Sequence, residues 1–211
     1  VKKIPTLFLR DPDTGLRYLT REAHPDCGWV LAGEGWPTRK YDGTCVRFDG
    51  ARWWARREVK PGKAAPSSFV AVETDVFTGK TVGWEPIEQS SFAKYHAEAL
   101  AGPHGLLDEW PIREPIAGAT YELCGPKING NPEGLHRHAM VRHGYIAAVE
   151  RDELNQLKRE YDLIEAWLHM HFAWEGLVFH HPDGRMAKIK RRDFSAVAVE
   201  PTGSGDPHPP G

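Results

Sequence analysis

Position 40 holds a lysine in the run Thr38-Arg39-Lys40-Tyr41-Asp42-Gly43-Thr44, between an aromatic lead-in (Trp29, Trp36) and an Asp-Gly turn. An amine on a tight glycine turn at the start of a strand has little freedom to wander. The glycine also lets a phosphate approach the backbone closely. Such a lysine is placed to act as a nucleophile. Asp-Gly between strands is equally the mark of an ordinary hairpin with a solvated lysine. The rest of the chain separates the two readings. Downstream follow Tyr121-Glu122-Leu123-Cys124-Gly125, Trp174-Glu175-Gly176-Leu177-Val178 and Met186-Ala187-Lys188-Ile189-Lys190.

In that order the four stretches resemble the signature elements of the covalent nucleotidyltransferases, which include ATP-dependent ligases and mRNA capping enzymes. That family carries a Lys-x-Asp-Gly nucleophile, a Glu on an apolar strand, a Glu-Gly-apolar strand and a terminal Lys-x-Lys strand. Pro37 to Cys45, Trp54-Ala55-Arg56, Lys60-Pro61-Gly62-Lys63, Gly83-Trp84-Glu85-Pro86-Ile87-Glu88 and Ile128-Asn129-Gly130-Asn131-Pro132 narrow it. They resemble the vertebrate-type 5′–3′ RNA ligase family, small ATP-dependent ligases that join 5′-phosphate and 3′-hydroxyl RNA ends. The likeness runs from about Lys3 to about Phe194. The Asn-Gly-Asn-Pro block and Gly-Trp-x-Pro are its most specific parts.

The resemblance implies a reaction and a set of roles. Lys40 takes AMP from ATP and releases pyrophosphate; AMP passes to the RNA 5′-phosphate; a 3′-hydroxyl then joins the ends. A free lysine has a pKa near ~10.4, so under ~0.1% is neutral at pH 7. The site must favour the amine, and nearby positive charge does so. Lys188, Lys190 and a bound Mg2+ (or Mn2+) are the sources, and the same cations neutralise phosphate oxygens as charge moves to the leaving group. Glu175 and Asp42 are the expected metal carboxylates, since magnesium keeps several waters and needs only one or two. Arg39, Tyr41, Asp42, Gly43, Arg56, Glu122, Lys188 and Lys190 are expected at the nucleotide, with Glu122 accepting from the ribose hydroxyls. Lys60, Lys63, Lys127, Asn129 and Asn131 are the expected RNA contacts. For the two asparagines, turn chemistry is the other reading. The basic groups are equally read as a solvated face.

Composition sets the frame. The chain has 211 residues, 40% hydrophobic, which suits one domain with a real core. Charge is plentiful at 27% but nearly balanced, net −2, so basic surface must be local. Arg52 to Lys63, His136 to His143 and Lys188 to Arg192 are its clusters. Three cysteines (Cys27, Cys45, Cys124) have no metal-like spacing and suit a reducing compartment. No apolar run approaches membrane-spanning length and no signal peptide opens the sequence. A monomeric cytoplasmic protein is the expectation. His136-x-His138 lacks companion ligands, so solvated or RNA-facing histidines are expected there.

The elements that must position these residues read as α+β. Strands are expected at Ile4 to Leu9, Thr44 to Phe48, Arg52 to Arg57, Phe69 to Val76, Gly118 to Leu123, near Val141, Gly176 to His180 and Met186 to Lys190; in Gly83 to Glu88, Trp84 is held by glycine and proline neighbours. Arg17 to Trp36 reads as loop and short strand. Phe92 to Leu100 reads as a short helix, and Ala101 to Pro115 and Gly125 to Gly134 as loops. The clearest helix is Asp152 to Met170, capped by Asp152, with Leu154, Leu157, Tyr161, Ile164 and Leu168 on one face. The resemblance implies the ATP-grasp-like nucleotidyltransferase domain of ligases, antiparallel sheets flanked by helices, over 1–200, with a disordered Pro/Gly-rich tail at 201–211 and no C-terminal OB domain.

Two departures stand out. Many DNA ligases and capping enzymes have arginine where this chain has Cys45, and Arg39 stands where the vertebrate-type ligases have an acidic residue near the base. Adenine preference is therefore an inference. A guanylyl- or DNA-adenylyltransferase, or a non-catalytic RNA-end or nucleotide-binding module of the same fold, remains the alternative.

Overall fold

The computed structural model describes residues 3–102 and 115–194; the expected tail at 201–211 and most of the loop at 101–115 lie outside them. The architecture is mixed α+β with antiparallel sheets and few helices. The strands are β1 (Phe8–Arg10), β2 (Leu19–Ala23), β3 (Trp36–Lys40), β4 (Thr44–Phe48), β5 (Trp53–Val59), β6 (Val70–Thr74), β7 (Thr81–Pro86), β8 (Thr120–Cys124), β9 (Ala139–Arg142), β10 (Gly176–His180) and β11 (Met186–Lys190). The α-helices are α1 (Gly28–Leu31), α2 (Ala93–Ala101), α3 (Ala148–Asn155) and α4 (Tyr161–Met170). A three-stranded sheet has the order β11-β10-β3, and a six-stranded sheet the order β6-β7-β5-β4-β8-β9. β1 and β2 pair separately.

Each large sheet covers its own core. Leu177, Phe179, Ala187 and Ile189 alternate onto one face of the small sheet and are fully buried. They pack with Leu154, Leu157, Ile164, Trp167 and Leu168 from the α3–α4 region. Val46, Ala55, Tyr121, Leu123 and Met140 do the same for the large sheet, against Tyr95 and Ala99 of α2. A buried Leu or Phe of this kind contributes about 1.5–3 kcal/mol. With one face of each sheet sealed, the other faces are left to line a cleft.

The expected single helix over Asp152 to Met170 is two helices, and Asp152 lies inside the first instead of capping it. The apolar face is real, since Leu154, Leu157, Ile164 and Leu168 are all buried. What breaks the helix is Arg159. Its guanidinium donates to the carbonyls of Val30 (3.3 Å), Glu34 and Gly35 (2.9 Å). Those bonds draw the linking residues out of helical register.

Lys40 also sits differently in its strand. It ends β3 and does not begin a strand; the turn 41–43 then carries the chain from the small sheet to the large one. β3 is hidden in the sequence because Trp-Pro-Thr-Arg-Lys shows no apolar alternation. Its proline is tolerated because β3 is an edge strand.

Candidate active site

Register determines which side chains share the cleft. In β3–β10 pairing, Lys40 lies opposite Gly176, Thr38 opposite Val178 and Trp36 opposite His180. In β10–β11 pairing, Gly176 lies opposite Lys190, Val178 opposite Lys188 and His180 opposite Met186. Directly opposed residues share a face. Lys40, Lys188, Lys190, Thr38 and His180 therefore project together, away from the core. From the large sheet, Cys45 lies opposite Glu122, and Glu122 opposite Val141. These residues and Arg56 line the same cleft, of about 300 Å³.

Two glycines allow the approach. A Cβ on Gly176 would stand 2.0 Å from the Ile189 carbonyl oxygen, so only glycine lets β11 close on the residue after Glu175. A Cβ on Gly43 would meet the Leu123 carbonyl oxygen at 2.3 Å. The Gly43 amide instead donates to Glu122 Oε1 at 3.0 Å, tying the turn after the lysine to β8.

Glu175 stands between Lys40 and Lys190, behind the residues that line the cleft. One carboxylate oxygen contacts Lys40 Nζ, and the other accepts from Lys190 Nζ at 2.5 Å. Burial would raise this carboxyl, but the charges and hydrogen bonds of Lys40 and Lys190 outweigh it and hold it below its ordinary range. Lys188 is pushed down to about 8, first by burial and then by the charges of Lys190 and Lys40. Its own backbone is fixed by residues ahead of β1: Lys188 N donates to the Pro5 carbonyl (2.9 Å) and its carbonyl accepts from Leu7 N (2.8 Å).

The structure does not bring every expected residue into the cleft. Arg39 and Tyr41 are among the residues lining the cleft, but their side chains are held by Glu133 and Glu150, which are not. The Arg39 guanidinium pairs with Glu133 and, at 3.7 Å, with Glu150, over the rings of Tyr41 and Trp174. Tyr41 donates to Glu150 Oε1 at 2.8 Å, and burial first, then Glu150, drives the phenol far above its ordinary value. Asp42 is outside the cleft lining. Its carboxylate accepts from Asn129 Nδ2 (3.1 Å) and its amide donates to Glu133 Oε1 (2.8 Å). Asn129 also donates to the Gly43 carbonyl at 2.7 Å. Asn131 closes its own loop through both atoms of its amide onto Leu135. Both asparagines have positive φ, 47° and 62°, as the turn reading requires. Lys60, Lys63 and Lys127 are exposed and lie outside the lining.

Several site residues escape the sequence. Glu133 and Glu150 hold the turn 41–43 from behind. Glu133 lies just beyond the Asn-Gly-Asn-Pro block, so that block carried a signal for it; nothing marked Glu150. His143 contacts Glu122 Oε2 and Thr120 Oγ1, each at 2.9 Å. His180 lies 3.0 Å from Thr38 Oγ1. Recognition of β3 would have placed Thr38 on the lysine's face by period-two alternation alone. His138, expected to be solvated or RNA-facing, is buried: it stacks on Tyr95 (centroids 4.6 Å apart) and bonds Glu98 at 2.7 Å, joining the residue ahead of β9 to α2. The three cysteines are free. Burial raises all of them, Cys27 to about 11 and Cys45 to about 12.

No protein-family model matches the chain. It is 29% identical over 219 aligned positions to RNA ligase 1 of Pongo abelii, covering 74% of this chain and 66% of that protein. It is 27% identical over 218 positions to RNA ligase 1 of Rattus norvegicus, covering 73% and 65%. RNA ligase 1 of Mus musculus gives the same figures. The chain thus spans about two thirds of the length of the curated relatives it matches. These likenesses support a relationship to RNA ligases. Among the described residues no helix is long and apolar enough to cross a membrane.

Proposed function

We propose that the chain is an ATP-dependent RNA ligase domain of the nucleotidyltransferase fold, joining 5′-phosphate and 3′-hydroxyl ends through lysyl-AMP and RNA-adenylate intermediates. One observation carries the reading: Lys40 and Lys190 share the two oxygens of Glu175 on a cleft face that also holds the depressed Lys188. A surface ion pair has no need of a third lysine kept against the cost of burial.

In the first step the Lys40 amine attacks the α-phosphorus of ATP. The N–P bond forms, the bond to the bridging oxygen breaks, and pyrophosphate leaves with the electron pair. Glu175, already in contact with Nζ, is the nearest acceptor for the lysine proton. Lys188 and Lys190 stabilise the charge on the phosphate oxygens. In the second step an RNA 5′-phosphate oxygen attacks the same phosphorus and the N–P bond breaks. In the third the 3′-hydroxyl attacks the activated RNA phosphate, loses its proton, and AMP leaves. Glu122, steadied by His143 and the Gly43 amide, is oriented for the ribose hydroxyls.

Among the described residues no three His, Cys, Asp or Glu side chains converge as a metal cage. Magnesium or manganese bound mainly by nucleotide phosphates needs only one or two carboxylates; Glu175 would hold it by giving up a lysine contact, and Asp42 by giving up Asn129. Such an ion, when bound, supplies charge neutralisation at the phosphates. Arg56 and Arg142 line the cleft as phosphate contacts, with Lys60, Lys63 and Lys127 as outlying RNA contacts. Asn129 acts through the nucleophile turn.

Incubation with each radiolabelled NTP, followed by a 5′-phosphorylated RNA with a free 3′-hydroxyl, tests the proposal. Covalent label from ATP and a joined product are expected. Label from GTP alone, or no joined RNA, contradicts it.

A further inference from the structure

Thr38 and His180 lie on the nucleophile's face and take no part in the chemistry above. Trp36, opposite His180, is four residues before Lys40 on β3. At roughly 3.4 Å per residue the cleft floor from Lys40 to His180 runs about 13–14 Å, long enough for a nucleoside monophosphate. Val178, opposite Thr38, lies between those two residues, and Val141 and Tyr145 line the same cleft, giving the ring of a base an apolar bed.

The hydrogen bonds at the far end fix a tautomer. Thr38 Oγ1 lies 3.2 Å from the Val178 carbonyl oxygen. A carbonyl only accepts, so both contacts are hydrogen bonds only when the single hydroxyl proton points there. The Thr38 oxygen, 3.0 Å from His180 Nε2, must then accept from Nε2–H. A neutral imidazole with its proton on Nε2 carries a lone pair on Nδ1. Thr38 is 4% exposed, so water does not substitute in this relay. Burial first, and then His143, pushes His180 down to about 4, so the ring is neutral at ordinary pH.

Nδ1 is left open to the cleft. Among the described residues no hydrogen-bond partner reaches it. A Cβ at position 144 would stand 3.6 Å from Nδ1 and cover it, but the residue there is Gly144. Trp36 stacks on the imidazole (centroids 5.9 Å apart), and its indole N–H donates to the Gly144 carbonyl at 3.2 Å, holding both in place.

We propose that His180, locked by Thr38, reads the base: its Nδ1 lone pair accepts from the amino group of a 6-aminopurine and repels the oxygen of a 6-oxopurine. This rests on the cleft being the nucleotide site. It supplies the adenine preference that Arg39, its guanidinium held by Glu133 and Glu150, does not. Leaving a buried polar group facing a like partner costs enough to shift affinity about tenfold to a hundredfold. Thr38→Val removes the oxygen that fixes the tautomer while keeping the shape. The ring can then present N–H or lone pair to the base.

The test is equilibrium binding of ATP and of inosine triphosphate, read by tryptophan fluorescence, on the full chain carrying Lys40→Ala to prevent turnover. ATP is expected to bind about tenfold to a hundredfold tighter. Thr38→Val should bring the ratio to within about threefold, and Thr38→Ser, which keeps the hydroxyl, should preserve it. His180→Phe, which keeps the ring on Trp36 without a lone pair, should also lose it, and serves if Thr38→Val fails to fold. Equal binding of the two nucleotides before mutation, or unchanged selectivity in both folded variants, overturns the inference while leaving the ligase reading intact. Failure to bind either nucleotide overturns both.

Discussion

Replacing Lys188 by methionine should make the protein more stable and a poorer enzyme at once. The Lys188 ammonium is half-buried beside Lys190 and Lys40, with Asp193 acting on it favourably. Its pKa of about 8 against the ordinary 10.5 corresponds to roughly 3 kcal/mol of penalty on the charged form. The sign follows from proton binding. Between about pH 8 and 10.5 the unfolded chain holds a proton that the folded chain has released. Stability of the native sequence therefore rises across that window, and below it the full penalty is present. Methionine matches the stem's length and carries no charge. At pH 7, Lys188→Met should gain about 1–3 kcal/mol, a rise of about 2–10 °C in Tm for a domain of this size, and should lose the rise in stability between pH 8 and 10. The single-turnover rate of covalent AMP transfer should fall about a hundredfold, because charge aimed at the phosphates is gone. Urea denaturation at pH 7 and 9.5, with a quenched-flow labelling assay, reads all three. A variant less stable than the native chain at pH 7, or one with an unchanged rate, would refute this account of the lysine.

Glu175→Gln should cost about 2–4 kcal/mol in urea titrations, since it strips two charge-assisted hydrogen bonds from Lys40 and Lys190. The difference from the native chain should shrink as pH falls through the carboxyl's depressed pKa, and an equal Tm at pH 7 would contradict the pairing. Gly176→Ala should cost ~3 kcal/mol or more and displace β11, because its Cβ would stand 2.0 Å from the Ile189 oxygen; calorimetry and the labelling assay should fall together. Burial holds His96 and His180 near 4 in the fold. The unfolded chain therefore binds more protons between about pH 6.5 and 4, and acid should destabilise the protein there by up to about 3 kcal/mol per histidine. His96→Phe should flatten part of that slope in a pH series of thermal melts.

The strands that follow Glu175 and carry the Lys188/Lys190 pair were legible because Leu177-Val178-Phe179 is an apolar run after Gly176 and Met186-Ala187-Lys188-Ile189-Lys190 alternates after the Pro182-Asp183-Gly184 turn. Gly176–His180 and Met186–Lys190 match their expected bounds. β3 was not, because its inward residues are Pro37 and an ion-paired Arg39, so periodicity has no apolar beat to detect. The break between α3 and α4 was invisible for the opposite reason. The apolar face continues through it, and the cause is a guanidinium reaching carbonyls more than a hundred residues away. Asp42 and Asn129 were legible as turn formers, but the bond between them forms only when the loop after β8 folds onto the turn 41–43. His143 and His180 read as scattered histidines in one dimension; only the facing of two sheets makes them neighbours in a cleft.

The central claim is that the Lys40 side chain accepts a nucleoside monophosphate. Intact-mass spectrometry after incubation with ATP and magnesium, followed by peptide mapping, tests it most directly. A single added AMP residue on Lys40, absent in a folded Lys40→Ala variant, is the predicted result; no adduct, or an adduct on another residue that survives Lys40→Ala, would contradict it.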